Sequence, residues 1–423
     1  MSASVKMKTY FRGETFWLMI ILAAGVFMRC AAIYAFSHPP ESDELVYQSM
    51  AVNLVNGRGI VDFHGDKAMY NVGYPLFIIA PVFVAFGESL LAVRFSNLFL
   101  GILSIYLCYA IAREAGGGRT ARLLAAAGWA FYLPANVYTV YLLKENLMTP
   151  LMLGVIWCVL RTKNCASLNS AMGCGVLLGL IALVGNAGLS LVSAVLFGFM
   201  YAPARWGKKV SLFIVTFVLA VLVAMPWALR NQHVLGAPVL NTNGGFNLYL
   251  GNNPLATGMF MSIADTPWGE KWHELRNEKG ELAASETMRH EATTWIVTHP
   301  AAFFRLALRK IIYFWTPPWH EGKGNLSVAE AMVRFLWLLQ FFILVGGALL
   351  SLFFLRLRPT QLGVLWTAII AYSAVHMIFY VTFRYREPIM PLLCILTAIA
   401  VEWVVARYAV IMLMRKSLQR AID

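Results

Sequence analysis

Long apolar runs alternate with short polar connections along the whole chain. Ten such runs can be placed, at residues 16–36, 90–112, 121–142, 146–160, 172–184, 189–203, 210–229, 331–355, 361–380 and 388–410. Most approach the roughly 20 apolar residues that a helix needs to cross the hydrocarbon core of a bilayer. The pattern therefore predicts an all-α polytopic membrane protein with about ten transmembrane helices.

The polar connections fall into two classes that differ in charge. Cytoplasmic loops are enriched in lysine and arginine. We therefore predict that both termini lie in the cytoplasm with the short basic connections, which read "REAGGGRTAR", "RTKN", "ARWGKK", "RLRP" and "MRKSLQR". The opposite side, here called the outer side, receives nearly all the acidic residues, in segments 37–89, 143–145, 230–330 and 381–387.

The long polar segment divides the chain into three predicted parts. Residues 1–229 form a transmembrane catalytic module with the first outer loop at 37–89, residues 230–330 form an outer loop region, and residues 331–423 form the last transmembrane helices. Within the middle part, "NTNGGFNLYLGNNPLATG" predicts turns, and residues 269–299 predict one or two helices. The stretch "PAAFFRLALRKIIYFW" predicts an amphipathic helix at the membrane interface, with its basic residues among aromatic ones: Arg305, Arg309 and Lys310.

Three apolar segments are short for a full span. Residues 73–87 number about 15, against roughly 20 for a span, and counting them as one would place every later basic loop outside. We interpret this segment as a re-entrant or surface-lying helix. Segments 172–184 and 189–203 flank the sequence "GNAG". If these helices meet below the outer surface, a cavity opens there, because irregular backbone at that depth is tolerated where it lines a cavity.

Composition agrees with a membrane protein and excludes other classes. Of 423 residues, 59% are hydrophobic and 13% charged, whereas soluble domains carry roughly 25% charged residues. The net charge of +13 follows the predicted topology, so no nucleic-acid partner is expected. The six cysteines lie in or beside apolar runs without metal-ligand spacing, so we expect neither a disulfide framework nor a zinc site.

An acidic cluster follows the first apolar run, in "SHPPESDELVYQSMAVNLVNGRG". Ser42 is a candidate N-cap, Asp43 and Glu44 fall in the first turn of a helix, and Gly57 is placed to end it. Adjacent helical residues point about 100° apart, so Asp43 and Glu44 do not form a chelating pair. Two interpretations stay open at this point: the acids only cap a helix, or they serve chemistry at the outer mouth of a cavity.

Cations on the outer side complement these acids. Each could be an interfacial anchor that extends its charge to lipid headgroups, or it could face the acids. Transfer from a lipid phosphate uses both kinds of charge, since a carboxylate accepts the proton of an attacking hydroxyl while fixed cations stabilise the departing phosphate. The candidates are Arg94, Lys144 beside Glu145, Arg230, and Arg384 with Arg386. Arg29 lies about two turns below the outer end of the first apolar run, so we expect it to pair with an acid or to line the cavity.

Several stretches also resemble a known family. They occur in family order and read "SDELVYQSMAVNLVNGRG", "YNVGYPLFIIAPVFVAFGES", "YLLKENLMTPLML", "PWALRNQHVLGAPVLNTNGGFNLYLGNNPLATG", "HPAAFFRLALRKIIYFW" and "FRYREPIMPLL". The chain resembles the bacterial branch of the GT-C membrane glycosyltransferases, which contains protein O-mannosyltransferases and the aminoarabinose transferase of lipid A. This resemblance implies the GT-C fold in a bacterial inner membrane, with the active site facing the periplasm.

The resemblance also implies a reaction and its residues. The expected reaction is inverting transfer of a sugar from polyprenyl phosphate, in bacteria undecaprenyl phosphate, to a hydroxyl of a glycan, lipid or protein. No metal or other cofactor is expected, and the expected partners are membrane lipids, the donor and the acceptor. Asp43 maps to the catalytic acid with Glu44 beside it, and the residues expected near the donor are Tyr74, Arg94, Lys144, Glu145, Arg384 and Arg386.

The chain departs from the family pattern at one basic residue. Many relatives carry a basic residue followed by proline after the fifth span, where this chain reads "LVGNAG", and often show Ser-Glu where this chain has Lys144 and Glu145. We hypothesise that Lys144 replaces the missing cation. The alternatives are a flippase or transporter for lipid-linked sugars, an O-antigen polymerase, and a non-catalytic scaffold. A transporter should carry charges near mid-membrane, often in related halves.

Overall fold

The fold is described from a computed structural model, for residues 3–317 and 328–422. These residues form α-helices joined by turns, loops and short 3-10 or π-helical stretches, with one isolated parallel bridge between Met259 and Val381. The helices are α1 (Ala3–Phe36), α2 (Asp43–Val55), α3 (Ala80–Phe86), α4 (Leu90–Glu114), α5 (Arg119–Ala130), α6 (Leu133–Tyr138), α7 (Glu145–Cys165), α8 (Leu168–Val184), α9 (Val192–Met200), α10 (Trp206–Leu235), α11 (Gly244–Gly251), α12 (Lys271–Thr298), α13 (Pro300–Trp315), α14 (Val328–Leu350), α15 (Pro359–Ile378) and α16 (Met390–Ile422).

Six stretches of the described residues are long and apolar enough to cross a membrane. They are Gly13–Phe36, Leu90–Glu114, Trp206–Leu235, Ala331–Phe354, Pro359–Ile378 and Phe383–Tyr408. The prediction of an all-α multi-pass membrane protein is therefore confirmed. The count of about ten spans stays a prediction, because α8 and the helical stretch Asn186–Met200 are shorter and α7 contains Pro150.

The predicted span at 121–142 is not one continuous helix. Helix α5 ends at Ala130 and α6 begins at Leu133, with Pro134 in its first turn. Proline has no backbone N–H to donate and is favoured at a helix start. Gln340 of α14 fills the break, because its side chain donates to Phe131 O over 2.8 Å and accepts from Leu133 N over 3.0 Å.

Hydrogen bonds join helices and loops at both ends of the bundle. At the basic end, Glu402 of α16 accepts from Gly118 N and Ala121 N, which precede and begin α5. At the other end, here called the site end, Arg230 of α10 donates to Lys67 O and Ile60 O in the first loop. The segment at 73–87 lies at the site end as a π-helical turn, Pro75–Ile79, followed by α3.

Helices α11, α12 and α13 form an outer region that docks onto the first loop. Glu281 accepts from Lys67 N and Ala68 N, both over 3.1 Å, and Arg276 pairs with Asp66 over 3.2 Å. Gly280 interrupts α12 with a positive φ of 79°. The segment therefore contains two helices, which is one of the two arrangements predicted for residues 269–299.

The interfacial prediction for "PAAFFRLALRKIIYFW" needs one correction. Arg305 and Arg309 of α13 are exposed, as expected of an interfacial helix. Lys310 is instead fully buried, and its ammonium group donates to Asn252 Oδ1 over 3.0 Å. Helix α13 therefore attaches to the loop after α11 through Lys310, in addition to any contact with lipid.

Candidate active site

Three charged residues from distant parts of the chain meet at the site end. Asp43 and Glu145 are the first residues of α2 and α7, where carboxylates favour the positive end of the helix dipole. Arg384, in the 3-10 turn before α16, forms an ion pair with Asp43, and its Nε lies 3.9 Å from Glu145 Oε1. The guanidinium therefore lies between the two carboxylates, in the position that a metal cation bound by both would occupy.

A layer of tyrosines surrounds this charged group. The ring of Tyr47 lies 6.0 Å from that of Tyr70 and 5.8 Å from that of Tyr74. Across the site, Tyr385 donates to Tyr380 over 3.1 Å between hydroxyl oxygens. Burial raises the pKa of Tyr47 well above its usual value, and the neighbouring Asp43 carboxylate adds to the shift. The Tyr47 phenol is therefore neutral and can donate a hydrogen bond at physiological pH.

A cavity of about 180 Å³ opens beside the charged group. Lys144 and Glu145 lie on its wall, next to the turn at Gly185 and Asn186 that the sequence placed at a cavity. Tyr372 and His376 of α15 lie on the wall as well. Five side-chain amides complete the lining: Asn71, Asn186, Asn241, Asn243 and Asn247.

The amides suit recognition of a ligand rich in hydroxyl groups. Each asparagine side chain offers two N–H donors and a carbonyl acceptor, so it can donate to and accept from sugar hydroxyls. Asn71 donates to Asn186 Oδ1 over 3.2 Å, which joins the first loop to the turn after α8. His376 has its Nδ1 2.8 Å from Tyr372 O, and because a carbonyl oxygen only accepts, Nδ1 donates this hydrogen bond.

Lys144 lies on the cavity wall beside the "GNAG" turn. It precedes α7 directly. A Cβ placed on Gly185 would lie 4.0 Å from Lys144 Cε, so the lysine reaches this turn. The hypothesis that Lys144 replaces the basic residue missing from the turn stays a prediction.

Glu44 and Arg94 do not face the cavity and instead brace the loops around it. Glu44 is buried and accepts from Leu142 N over 2.6 Å and from Glu41 N over 3.2 Å. Arg94 donates to Val140 O over 3.0 Å and also to His38 O. Both therefore join the end of α1 to the loop before α7, and the structure does not bring Arg94 to the donor position expected for it.

Ser42 does not cap α2 with its side chain, contrary to the sequence prediction. It occupies the N-cap position but has a positive φ of 50° and makes no capping hydrogen bond. The Glu44 carboxylate, which accepts from Glu41 N, satisfies a donor just before the helix instead. Helix α2 ends at Val55, and Gly57 follows with a φ of 74°, so the predicted end is confirmed.

Tyr74 and Arg386 also make structural contacts away from the cavity. The Tyr74 hydroxyl donates to Asn97 Oδ1 over 2.9 Å, and the side chain is fully buried. Arg386 donates to Phe314 O over 3.0 Å and to Thr316 O over 2.7 Å, and its guanidinium lies 4.5 Å from the centre of the Phe341 ring. Arg386 therefore holds the end of α13 against the bundle.

Arg29 lies close to an acid, as the sequence predicted for a charge below the outer end of α1. It is 1% exposed, and together with Glu387 and Glu145 it lines a small space of about 20 Å³. A space of about that size holds one water molecule. A Cβ on Gly101 would lie 3.0 Å from Arg29 Cδ, so the absence of a side chain there makes room for the arginine.

The chain is similar to known proteins in part of its sequence and in its fold. Residues 74–229 match the family model described as dolichyl-phosphate-mannose-protein mannosyltransferase. The archaeal oligosaccharyltransferase AglB from Archaeoglobus fulgidus, solved with an inhibitory peptide and a dolichol-phosphate, superimposes with a TM-score of 0.56 at 14% identity, over 95% of this chain and 52% of AglB. Apo ArnT from Cupriavidus metallidurans gives 0.54 at 16% identity, over 92% of this chain and 60% of ArnT.

The chain has the fold of the GT-C membrane glycosyltransferases, as the sequence resemblance predicted. It spans about half the length of AglB, at 52%. No curated protein sequence matches it.

The family match covers only part of the candidate active site. It contains Tyr74, Arg94, Lys144 and Glu145, but it begins after Asp43 and ends long before Arg384. Among the described residues, no group of three or more His, Cys, Asp or Glu side chains could hold a metal ion.

The sequence does not predict the neutral half of the candidate site. The five cavity asparagines and the α15 pair Tyr372 and His376 are absent from the residues that it indicates. The density of asparagines in "NTNGGFNLYLGNNPLATG" is the available signal, but by itself it predicts turns. Tyr372 and His376 lie in an apolar helix, where nothing in the local sequence separates a cavity residue from a packed one.

Proposed function

We propose that the chain is an inverting glycosyltransferase that moves a sugar from a polyprenyl phosphate to a hydroxyl of an acceptor. The observation that carries the proposal is the amide-lined cavity of this GT-C protein, with Lys144 and Glu145 on its wall and the Asp43–Arg384 pair beside it. The dolichol-phosphate in the AglB complex supports a polyprenyl phosphate as donor. In a bacterial inner membrane the donor would be undecaprenyl phosphate linked, and the site would face the periplasm.

The chemistry needs one base and one cation. The acceptor oxygen attacks the anomeric carbon, the bond from that carbon to the phosphate oxygen breaks, and the polyprenyl phosphate departs with the electron pair. We assign the hydroxyl proton to the Asp43 carboxylate, which is 22% exposed and therefore reachable. Lys144 is the cation for the departing phosphate, and Arg384 orients the carboxylates on either side of it.

Charge placement favours an enzyme over a transporter. The charged side chains around the cavity belong to segments at the site end, which are the starts of α2 and α7 and the turn before α16. The proposed acceptor classes are lipid A or lipopolysaccharide, another cell-envelope glycan, and protein. No cofactor or divalent metal enters the proposed chemistry, since Arg384 occupies the position between the two carboxylates.

The proposal predicts that Asp43→Asn abolishes transfer by purified protein supplied with undecaprenyl phosphate sugars. Loss of a general base lowers the turnover rate by roughly 10²–10⁴-fold, measured as release of undecaprenyl phosphate. Asp265→Asn is the matched control, because Asp265 is exposed in the outer region. Full activity of the Asp43→Asn protein would refute the base assignment, and Glu145→Gln would then test the carboxylate on the cavity wall.

A further inference from the structure

A second concave surface lies in the outer region, on the other side of α11 from the cavity. Its volume is about 470 Å³, against about 180 Å³ for the cavity, and small-molecule sites typically measure about 300–1,000 Å³. We call it the aromatic groove, and its defining residues are Tyr249, Trp268, Lys271, Glu291, Thr294 and Trp295.

The α12 side of the groove is separate from the buried face of that helix, and its Trp295 ring stacks on His299 at the end of the helix, with ring centroids 5.7 Å apart. Glu291, Thr294, Trp295 and Thr298 recur at helical spacing, so they share one flank of α12. The buried face of the same helix is a different one, formed by Ala284, Met288 and Ala292. The groove flank is therefore available for a ligand.

Aromatic rings form fixed surfaces inside the groove. Trp268 and Trp295 are half-buried, so each is held in place while part of its ring stays accessible. Trp268 packs against a core cluster that contains Tyr249 and Trp272, and the Trp272 ring lies 4.6 Å from that of Phe246. Such rings offer large apolar area at low entropic cost. They suit the apolar C–H faces of sugar rings.

Polar groups with opposite charges surround these rings. The side chains of Lys271, Glu291 and Thr294 are exposed and line the groove. The lysine and the glutamate cancel in charge, so the groove does not select an anion such as a phosphate. Polar side chains between the rings also make it unsuited to an acyl chain. A neutral ligand with apolar faces and many hydroxyls matches both features.

Helix α11 forms a common wall between the groove and the cavity. Asn243, Gly244 and Asn247 line the cavity, whereas Tyr249 and Asn253 line the groove. The width of one helix, about 10 Å with its side chains, therefore separates the two spaces. A chain of sugar units held in the groove can cross this width and present its end in the cavity.

We propose that the aromatic groove binds a neutral oligosaccharide and that this oligosaccharide is the body of the acceptor. The inference rests on the proposed function and narrows its acceptor to a glycan. Trp268 and Trp295 hold the sugar rings, and Lys271, Glu291 and Thr294 bond their hydroxyls.

The test measures binding and transfer separately. Soluble gluco-, manno-, galacto- and N-acetylglucosamine oligosaccharides are titrated into the full chain by calorimetry, and the same compounds are then offered as acceptors. We expect Trp295→Ala and Trp268→Ala to weaken binding at least tenfold and to raise the KM for the acceptor by a similar factor. The kcat and the KM for the donor should not change. Trp206→Ala is the matched control, because Trp206 is 70% exposed at the basic end.

Each outcome decides the inference. If no oligosaccharide binds, or if the tryptophan variants bind like the wild type, the groove is not a glycan site. Tryptophan-dependent binding of a Ser/Thr-rich peptide in place of a glycan overturns it as well. Should Trp295→Ala fail to fold, Glu291→Gln and Thr294→Val remove exposed groups only and must still weaken binding. A wild type that binds glycans without transferring sugar contradicts the proposed function and leaves the groove assignment intact.

Discussion

At the scale of single residues, burial and partners separate the charged side chains into two groups. Glu44, Arg94 and Arg386 are buried and use their charges to bond backbone groups of neighbouring segments. Asp43 and Arg384 keep 22% and 27% of their side chains exposed at the site. The sequence shows all five as outer-side charges, so their difference in role comes from the direction in which each side chain points.

Lys144 provides the residue-scale test of the donor phosphate. We expect Lys144→Glu to raise the KM for the donor by roughly 10–100-fold, since a hydrogen bond to a charged group contributes about 1.5–3 kcal/mol. The KM for the acceptor should change little, and Lys144→Arg should recover most of the loss. Lys279→Glu on the exposed surface of α12 is the control. Wild-type transfer and donor affinity in the Lys144→Glu protein would show that Lys144 does not contact the phosphate.

At the scale of elements, the site depends on how closely helices approach one another. Helices α2 and α7 begin at the site with carboxylates, while the turn before α16 contributes the arginine between them. Behind them, α1 contributes Arg29, which lies beside Gly101 of α4. The packing of α1 against α4 therefore sets where the charges below the site lie.

Gly101→Ala tests this packing. The added methyl group would overlap the Arg29 side chain, since even its Cδ lies 3.0 Å from the new atom. Overpacking of a filled interior costs about 1–3 kcal/mol, so we expect a clear fall in the thermal unfolding midpoint. Gly346→Ala is the matched control, because Gly346 of α14 has nothing within 4 Å of an added Cβ. Equal midpoints for the two variants would mean that the α1–α4 contact adapts without strain.

At the scale of the whole molecule, a few polar contacts attach the outer region to the membrane bundle. Lys310 of α13 donates to Asn252, and Asn252 donates to Ile378 O at the end of α15 over 2.7 Å. Met259 and Val381 pair beside them. The aromatic groove and the cavity wall contributed by α11 are therefore held to the bundle partly by a buried lysine.

This buried lysine predicts a pH dependence of stability. Burial lowers the pKa of Lys310 from 10.5 to about 7, so the folded protein loses a proton that the unfolded chain keeps. Burial of Lys310 therefore costs no stability above the unfolded pKa of 10.5, where the lysine is neutral in both states. The cost grows, and stability falls, as the pH decreases towards 7. We expect stability to increase by roughly 2 kcal/mol between pH 7 and pH 9.

The measurement is the unfolding midpoint of the wild type and Lys310→Met at both pH values. The wild type should gain stability at the higher pH relative to the variant, which has no group to titrate at this position. Other titrating groups affect both proteins equally, so the difference isolates Lys310. A parallel response of the two proteins would show that the folded protein keeps the Lys310 proton at both pH values, as the unfolded chain does.

The sequence by itself determined the class of the protein and the end of α2. Apolar length and basic connections predicted a multi-pass helical protein, and the placement of Gly57 marked where α2 stops. Asp43 and Glu145 could be predicted as site residues, since local order puts each at the start of a helix near the outer side. These are local properties, set by hydrophobicity, charge and backbone conformation within a few residues.

The tertiary structure alone decided which residues share the site. Arg384 lies 341 positions from Asp43 along the chain, and no local pattern distinguishes it from Arg386, whose guanidinium faces α13 instead. The asparagines of 241–247 and His376 of α15 became cavity residues only through the packing of α11, α15 and the turn after α8. A side chain's role in a site depends on its direction and its distant neighbours, and these are properties of the packed chain.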